Sequence, residues 1–390
     1  MLAIGFTLAW TFSKTRFSEK IAFNILRHGG ILSGSSSKAF PPTGNLETAA
    51  VLRVLARAHR YLGELKGTAK TIPNENLLVS TLSLQEAQSS SEIENIITTQ
   101  DALYRHQLQP ESADPVSREV AWYAHGLDRG FHTVRRSGLL TVNTIKEVQA
   151  VLEGNDAGFR RTPGTVLRNE QTGQVVFEPP SPERIPDLMG ELEHYIHTDD
   201  AAVDPLVRMA VIHHQFETIH PFYDGNGRTG RIVNILFLVK EGLLDSPILY
   251  LSRYISQTKS RYYRELQHVR DTGDWENWLI YMLEGVAATA RHTNDLVQRI
   301  GDLLQHYKHH IRSEYRFYSQ DLINNIFRHP YTKVSFLEED LNVSRATATR
   351  YLDQLAAGGI LEKHRLGREN YYINLALVRL LFELPEMDVG

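Results

Sequence analysis

Cysteine is absent from this chain of 390 residues, which excludes disulfides and zinc–thiolate sites and makes function insensitive to thiol redox. That absence permits any compartment and suits the cytoplasm. An excess of one charge is missing as well: the formal net charge is −4, so no strong global field toward nucleic acid or a membrane is implied. Long hydrophobic runs are lacking too. Residues 2 to 12 are mostly apolar, but no positive charge precedes them and the run is too short to span a bilayer, so neither a signal peptide nor membrane association is expected. A phosphate loop with Gly-Lys-Ser/Thr does not occur. His213 and Glu217 lie four residues apart beside His214, yet the His-Glu-x-x-His order is missing and no third ligand is evident; packing or capping is expected of these histidines.

What is present is enough apolar content, 42%, for ordinary buried cores, and a length that suggests two or three domains. The most informative stretch is His220-Pro-Phe-Tyr-Asp-Gly-Asn-Gly-Arg-Thr-Gly-Arg231. Glycines at 225, 227 and 230 allow backbone N–H groups to turn toward a phosphate, and a helix start just after them adds partial positive charge, which makes an anion cradle. Arg228 and Arg231 are three apart, share a helical face and can both reach phosphate oxygens. Asp224 supplies the single carboxylate that magnesium needs when it also binds substrate phosphates. His220 is the only base in the loop. The literal Gly-x-Gly-x-x-Gly pattern invites a dinucleotide-binding reading, but the preceding Val211–Ile219 spaces Ile212, Phe216 and Ile219 as a helix rather than the strand such a loop requires.

His220 through Arg231 resembles the signature of Fic proteins, His-Pro-Phe-x-Asp-Gly-Asn-Gly-Arg-x-x-Arg, at every specified position. The resemblance covers roughly residues 40 to 290. It implies transfer of AMP from ATP to a Ser, Thr or Tyr hydroxyl of a protein, with pyrophosphate leaving. It further implies that His220 takes the hydroxyl proton, that Asp224 holds Mg2+, and that Gly225, Asn226, Gly227, Arg228, Thr229, Gly230 and Arg231 contact ATP. Within that set, Arg228 and Arg231 clamp the outer phosphates. Phe222 anchors the loop. A second segment, Glu86-Ala-Gln-Ser-Ser-Ser-Glu-Ile-Glu-Asn95, resembles the family's inhibitory motif through Ser90, Glu94 and Asn95. In the family that glutamate pairs with the second motif arginine, here Arg231, and blocks placement of the γ-phosphate, so an autoinhibited enzyme is expected. The physics agrees, since phosphoryl transfer rests mostly on positioning and charge neutralisation.

The expected fold is mainly α: a Fic helical core with a β-hairpin flap, and a small C-terminal α/β winged helix-turn-helix domain. Residues 1–38 read as an extension, disordered or mis-assigned. Residues 39–140 form an N-terminal helical region. A helix from Leu46 to Leu62 ends at Gly63 and Gly67, Ile72-Pro-Asn-Glu-Asn-Leu is a turn with a helix start, and 83–97 is the inhibitory helix. Val116 to Leu152 reads as two helices. Residues 141–290 hold the catalytic core. There Thr165–Phe177 has two β-prone runs around a polar turn at Gly173, a hairpin. The resemblance makes this a flap that holds the target protein by strand addition. Tyr250–Tyr263 resembles the adenosine-side wall, with Gln257 and Tyr263 as contacts. Asp274–Trp278 opens an apolar helix that closes the core.

A connecting helix is expected over 291–320, ending near Arg316, before the C-terminal domain at 321–390. Val334–Ser344 reads as a helix and turn with Ser344 as N-cap, Arg345–Ala357 as a second helix, and Gly358–Ile373 as two strands around Gly367. Arg345, Thr347, Thr349 and Arg350 face outward as a DNA-reading set, with Arg365 and Arg368 on the wing, but acidic residues at 338–340, 353, 362 and 369 offset them. Dimerisation, protein recognition and DNA binding therefore stand level. Self-modification is expected. Three alternatives stay open: another donor, removal of AMP with Glu94 orienting water, and a DNA-binding regulator that senses nucleotide.

Overall fold

The computed structural model describes residues 40–382 apart from 73, 109–113, 169–172, 199–202 and 367–368. The 1–38 extension lies outside the described residues. Helix α1 (Ala49–Ala69) starts where the Thr48 hydroxyl accepts from the Val51 N–H at 3.3 Å. Val51, Leu55, Ala58, Leu62 and Leu65, all buried, recur at alternating four- and three-residue steps and form a seam against the long helix α11 (Glu276–Glu314). The helix does not stop at Gly63 or Gly67. A Cβ at either would meet no atom within 4 Å, so both lie on the outer face while the seam beside them carries the helix onward.

Helices α2 (Glu75–Ile93), α3 (Gln100–Leu108), α4 (Pro115–Ser137) and α5 (Val142–Glu153) follow. Asn74, Asp114 and Thr141 cap α2, α4 and α5, and left-handed Gly138 and Gly154 end α4 and α5. The expected hairpin is present as β1 (Leu167–Arg168) and β2 (Val175–Phe177), antiparallel with Leu167 opposite Phe177 and Arg168 opposite Val175. Part of its turn lies outside the described residues. After a 3-10 turn at 182–184 come α6 (Ile185–His197), α7 (Pro205–Ile219), α8 (Asn226–Lys240), α9 (Ser252–Gln257), α10 (Lys259–Thr272) and α11. Helices α7 and α8 are buried almost all round, as befits the centre of a helical core. Trp278 of α11 locks onto α7 by donating its indole N–H to the Ala210 carbonyl at 2.9 Å.

From Gln320 the chain builds a smaller unit: α12 (Gln320–Arg328), β3 (Tyr331–Lys333), α13 (Val334–Leu341), α14 (Arg345–Ala357), β4 (Glu362–Leu366), β5 (Glu369–Ile373) and α15 (Leu375–Phe382). The strands form an antiparallel sheet in the order β3-β5-β4, and Ser344 caps α14 through the Thr347 N–H. Gly367 and Arg368 lie outside the described residues. The core-closing and connecting helices expected from sequence are one, because α11 runs 39 residues without a break; no proline interrupts it and its buried side chains continue from Trp278 to Ile311. The small unit seats on the N-terminal helices. Ser80 donates to the Arg328 carbonyl at 3.3 Å, Gln85 to the Leu381 carbonyl at 2.9 Å, and Tyr331 to Asp101 at 2.8 Å. Tyr331 also stacks on Tyr104, with ring centroids 5.3 Å apart.

Candidate active site

The loop between α7 and α8 is fixed from its backbone outward. His220 ends α7 in the left-handed region, φ 48°, which turns the chain sharply. Its carbonyl accepts from Nε of buried Arg160 at 2.8 Å. The same guanidinium reaches the Pro180 carbonyl just past the hairpin at 2.5 Å, and the Arg160 backbone N–H donates to the Pro221 carbonyl. Phe222, fully buried, packs between the rings of Phe159 and Phe216. Burying such a ring is worth roughly 2–3 kcal/mol. Asn226 staples the loop across four residues: its Oδ1 accepts from the Phe222 N–H at 2.8 Å and its Nδ2 donates to the Phe222 carbonyl at 2.9 Å. Asp224 accepts from the Gly225 N–H at 2.8 Å.

Of the three glycines, only Gly225 bends the backbone, at φ 73° as the N-cap of α8. Gly227 and Gly230 are already helical, and each makes room instead. A Cβ on Gly227 would lie 2.5 Å from Glu94 Oε1 and 2.9 Å from Arg231 Nη1, whereas one on Gly230 would strike Glu217 and Phe216 of α7. Gly230 thus lets α7 and α8 approach closely, and the N–H groups before Thr229 lead the first turn of α8; the Thr229 N–H closes the first helical bond to the Gly225 carbonyl. Thr229 itself is buried.

Over this turn sits Glu94. Its Oε1 accepts from Arg231 Nη2 at 2.5 Å and its Oε2 lies 3.0 Å from Arg228 Nε as an ion pair. Arg231 also donates through Nε to the Ser90 hydroxyl at 2.7 Å and through Nη2 to the Ser90 carbonyl at 3.0 Å. Arg228 donates through Nη1 to Glu119 at 2.7 Å and through Nη2 to Glu153 at 2.8 Å. Burial works against both guanidinium charges, but Glu94, with Glu153 and Glu119 beside Arg228, overcomes it and holds both arginines above their ordinary range. Burial pushes the Glu153 carboxyl up to about 8, against the pull of Arg228 and with the help of Asp224, Glu94 and Glu119.

The segment carrying Glu94 ends earlier than the expected 83–97 helix. Helix α2 stops at Ile93, Glu94 is its C-cap, and Asn95 is left-handed at φ 62°. The Asn95 N–H donates to the Glu92 carbonyl and the Ile96 N–H to the Ser91 carbonyl, the paired bonds of a Schellman ending. That geometry is why asparagine follows the glutamate: few side chains tolerate a left-handed backbone, and asparagine is one of them. Lys259 at the start of α10 donates to the Asn95 side chain at 3.3 Å. Behind Ser90, Glu86 is fully buried and pushed up by that burial, despite bonds from the Ser252 hydroxyl and backbone and from Tyr123.

Ser90, Glu94, Gly227, Arg228 and Arg231 are thus brought together, with Asn95 closing the turn. Gln257 and Tyr263 stand on α9 and α10: Gln257 is exposed, and Tyr263 is buried edge-on against Tyr262, 5.0 Å between centroids. His213 meets the Tyr262 hydroxyl at 2.8 Å and lies parallel to Trp278; burial, then Arg231, lowers it to about 3. His214 meets the Leu266 carbonyl at 3.2 Å. The hairpin is moored by Arg270, whose guanidinium sits 3.9 Å from the Phe177 ring centroid and donates to the Glu217 carbonyl at 2.9 Å. Sequence reading missed Arg160, Arg270, Glu119 and Glu153. Each acts across a long stretch of chain and stands in no motif.

A mainly helical fold carrying this loop defines a class, and three models of known families match in succession: Fic/DOC family N-terminal over residues 52–132, Fic/DOC family over 139–238, and the C-terminal domain of SoFic-like protein adenylyltransferases over 303–377. The chain belongs to the Fic/DOC family. Among relatives, it is 28% identical over 134 residues to protein adenylyltransferase fic-1 of Caenorhabditis briggsae, covering 34% of this chain and 24% of that one. It is 38% identical over 80 residues to a probable protein adenylyltransferase of Aquifex aeolicus (strain VF5), covering 20% and 25%. The chain spans about a quarter of the length of these curated relatives. Its fold matches a Fic family protein from Desulfovibrio desulfuricans G20 with a TM-score of 0.53 at 20% identity, over 86% of this chain and 98% of that one. Among the described residues, no helix is long and apolar enough to cross a membrane.

Proposed function

We propose that the protein is an autoinhibited protein adenylyltransferase that transfers AMP from ATP to a Ser, Thr or Tyr hydroxyl of a protein. The carrying observation is the Glu94 carboxylate bridging Arg231 and Arg228 over the first turn of α8, where an anion would otherwise sit. In the working state His220 takes the proton of the attacking hydroxyl as its oxygen bonds to the α-phosphorus. The bond from that phosphorus to the oxygen bridging the β-phosphate breaks, and its electron pair leaves with pyrophosphate. Arg228 and Arg231 hold the outer phosphates, and the first N–H groups of α8, from Asn226 to Arg228, add donors around Gly225 and Gly227. Gln257 and Tyr263 are read as the adenosine side. The donor set fits magnesium in one respect: Asp224 places a carboxylate in the loop at the N-cap of α8, which suits an ion bound mainly through substrate phosphates. Bound there, Mg2+ would neutralise phosphate charge.

The β1–β2 hairpin, moored by Arg270, offers a strand edge for the target segment. The unit from Gln320 onward reads as a winged helix that serves dimerisation, protein recognition or DNA binding. The test is incubation of wild type, Glu94→Gly and Glu94→Gly/His220→Ala with α-labelled ATP and magnesium, followed by mass detection of AMP on the protein. Label on Glu94→Gly that disappears in the double variant supports the reading. No label on any variant that still binds ATP overturns it in favour of another donor or a nucleotide-sensing regulator.

A further inference from the structure

Arg228 is held by more than Glu94. Its guanidinium is 2% exposed and meets three carboxylates from three parts of the chain: Glu94 at Nε, Glu119 of α4 at Nη1 and Glu153 at the end of α5 at Nη2. Arg231 differs, because its partners are Ser90 and Glu94, both from the inhibitory segment. Withdrawal of Glu94 would release Arg231 from the one carboxylate that pairs directly with it among the described residues, while leaving Arg228 tied at both terminal nitrogens.

The two remaining carboxylates hold the two terminal nitrogens of the guanidinium. Glu153 is also wedged against the turn, its Oε1 where a Cβ of Gly225 would collide with it. It therefore touches both the N-cap of the cradle and the arginine that works over it. Its helix ends one residue later at left-handed Gly154, which packs at 3.1 Å against the Trp122 ring of α4 in the sense that a Cβ there would meet it. The α4–α5 pair that carries Glu119 and Glu153 is thus a rigid mount.

We infer that Glu119 and Glu153 are positioning residues for Arg228, a fixed acidic bracket that aims its Nε edge at the phosphate site once Glu94 has left. The inference rests on the proposed phosphate role of Arg228. A guanidinium on a long side chain loses rotational freedom when it grips a phosphate, and a bracket that has already fixed it removes that loss at binding. Neutral Glu153 can serve as well as the charged form, since a carbonyl oxygen suffices to accept from Nη2; its elevated proton affinity fits that role.

The experiment uses the full chain in the Glu94→Gly background and compares it with Glu94→Gly/Glu153→Ala and Glu94→Gly/Glu153→Gln. ATP affinity is read by calorimetry without turnover, and KM and kcat for self-modification are read separately. Glu153→Ala is expected to weaken ATP binding and raise KM by about tenfold with kcat little changed, and Glu153→Gln to restore most of the loss. Three results overturn the bracket: unaltered ATP affinity in the alanine variant, tighter binding in either variant, or a fall in kcat with KM unmoved. Circular dichroism separates these from misfolding, and Glu119→Ala, at the more exposed partner, gives a second route to the same readout. A Glu94→Gly parent that binds ATP without transferring AMP would sink the adenylyltransferase reading alone, since calorimetry still tests the bracket.

Discussion

Glu94 occupies the space that the missing side chain of Gly227 leaves open: its Oε1 lies 2.5 Å from where a Cβ of residue 227 would stand. Glu94 and the first turn of α8 are therefore fitted to each other, and on the proposed function the same vacancy would admit a phosphate oxygen. Gly227→Ala should displace Glu94 yet fail to activate, because the added methyl fills the site it clears. Transfer by Glu94→Gly/Gly227→Ala should stay near background and its ATP affinity should fall, both measured beside Glu94→Gly; full activity in the double variant would contradict the fit.

Asn95 ends α2 in a left-handed backbone directly after Glu94, the carboxylate of the proposed inhibition. Asn95→Ala should cost about 1 kcal/mol, and Asn95→Gly should be close to neutral. Because the alanine strain falls on the residue after Glu94, self-modification should rise in Asn95→Ala. Thermal melting and the labelled-ATP assay check the two halves independently.

Arg160 ties the His220 carbonyl to Pro180 beyond the hairpin. Arg160→Ala would leave buried carbonyls without their donor and should destabilise by about 3 kcal/mol in urea unfolding. In the Glu94→Gly background it should lower kcat more than it alters ATP affinity, since it supports the backbone of the base rather than the phosphate clamp.

Glu153 makes stability depend on pH in a defined direction. Its carboxyl rises from the usual 4.5 to about 8, first through burial, and faces Arg228, Glu94, Glu119 and Asp224. The fold thus binds its proton more tightly than the unfolded chain does. The resulting stabilisation is fully present below 4.5 and is lost as pH rises through about 8. Glu153→Gln should flatten the decline of melting temperature with rising pH; parallel curves for the two proteins would count against it.

Much of the site was legible because its determinants are local. The 220–231 motif and the Ser90–Asn95 pattern each lie within a few turns of chain, where spacing alone states which residues share a face. The start of α14 at the Ser344 cap was legible for the same reason. Gly63 and Gly67 misled because an exposed glycine weakens a helix by only about 1 kcal/mol, which the apolar seam of α1 outweighs. The packing of Gly230 against Glu217 and Phe216 stands in no motif and shows only in the fold. Glu119 and Glu153 meet Arg228 from 109 and 75 residues away, and Arg160 meets the His220 carbonyl from 60 residues away, separations that no local pattern encodes.

Helix α11 carries side chains for both ends of one continuous hydrophobic interior. Trp278 serves the end around α7, while Tyr307 packs its ring on Phe327 and bonds the Ile360 carbonyl in the C-terminal unit. At about 1.5 Å per residue it is a rod nearly 60 Å long, with no hinge between the two. The described chain should therefore melt in one calorimetric transition, and a protease should find no early cut within α11.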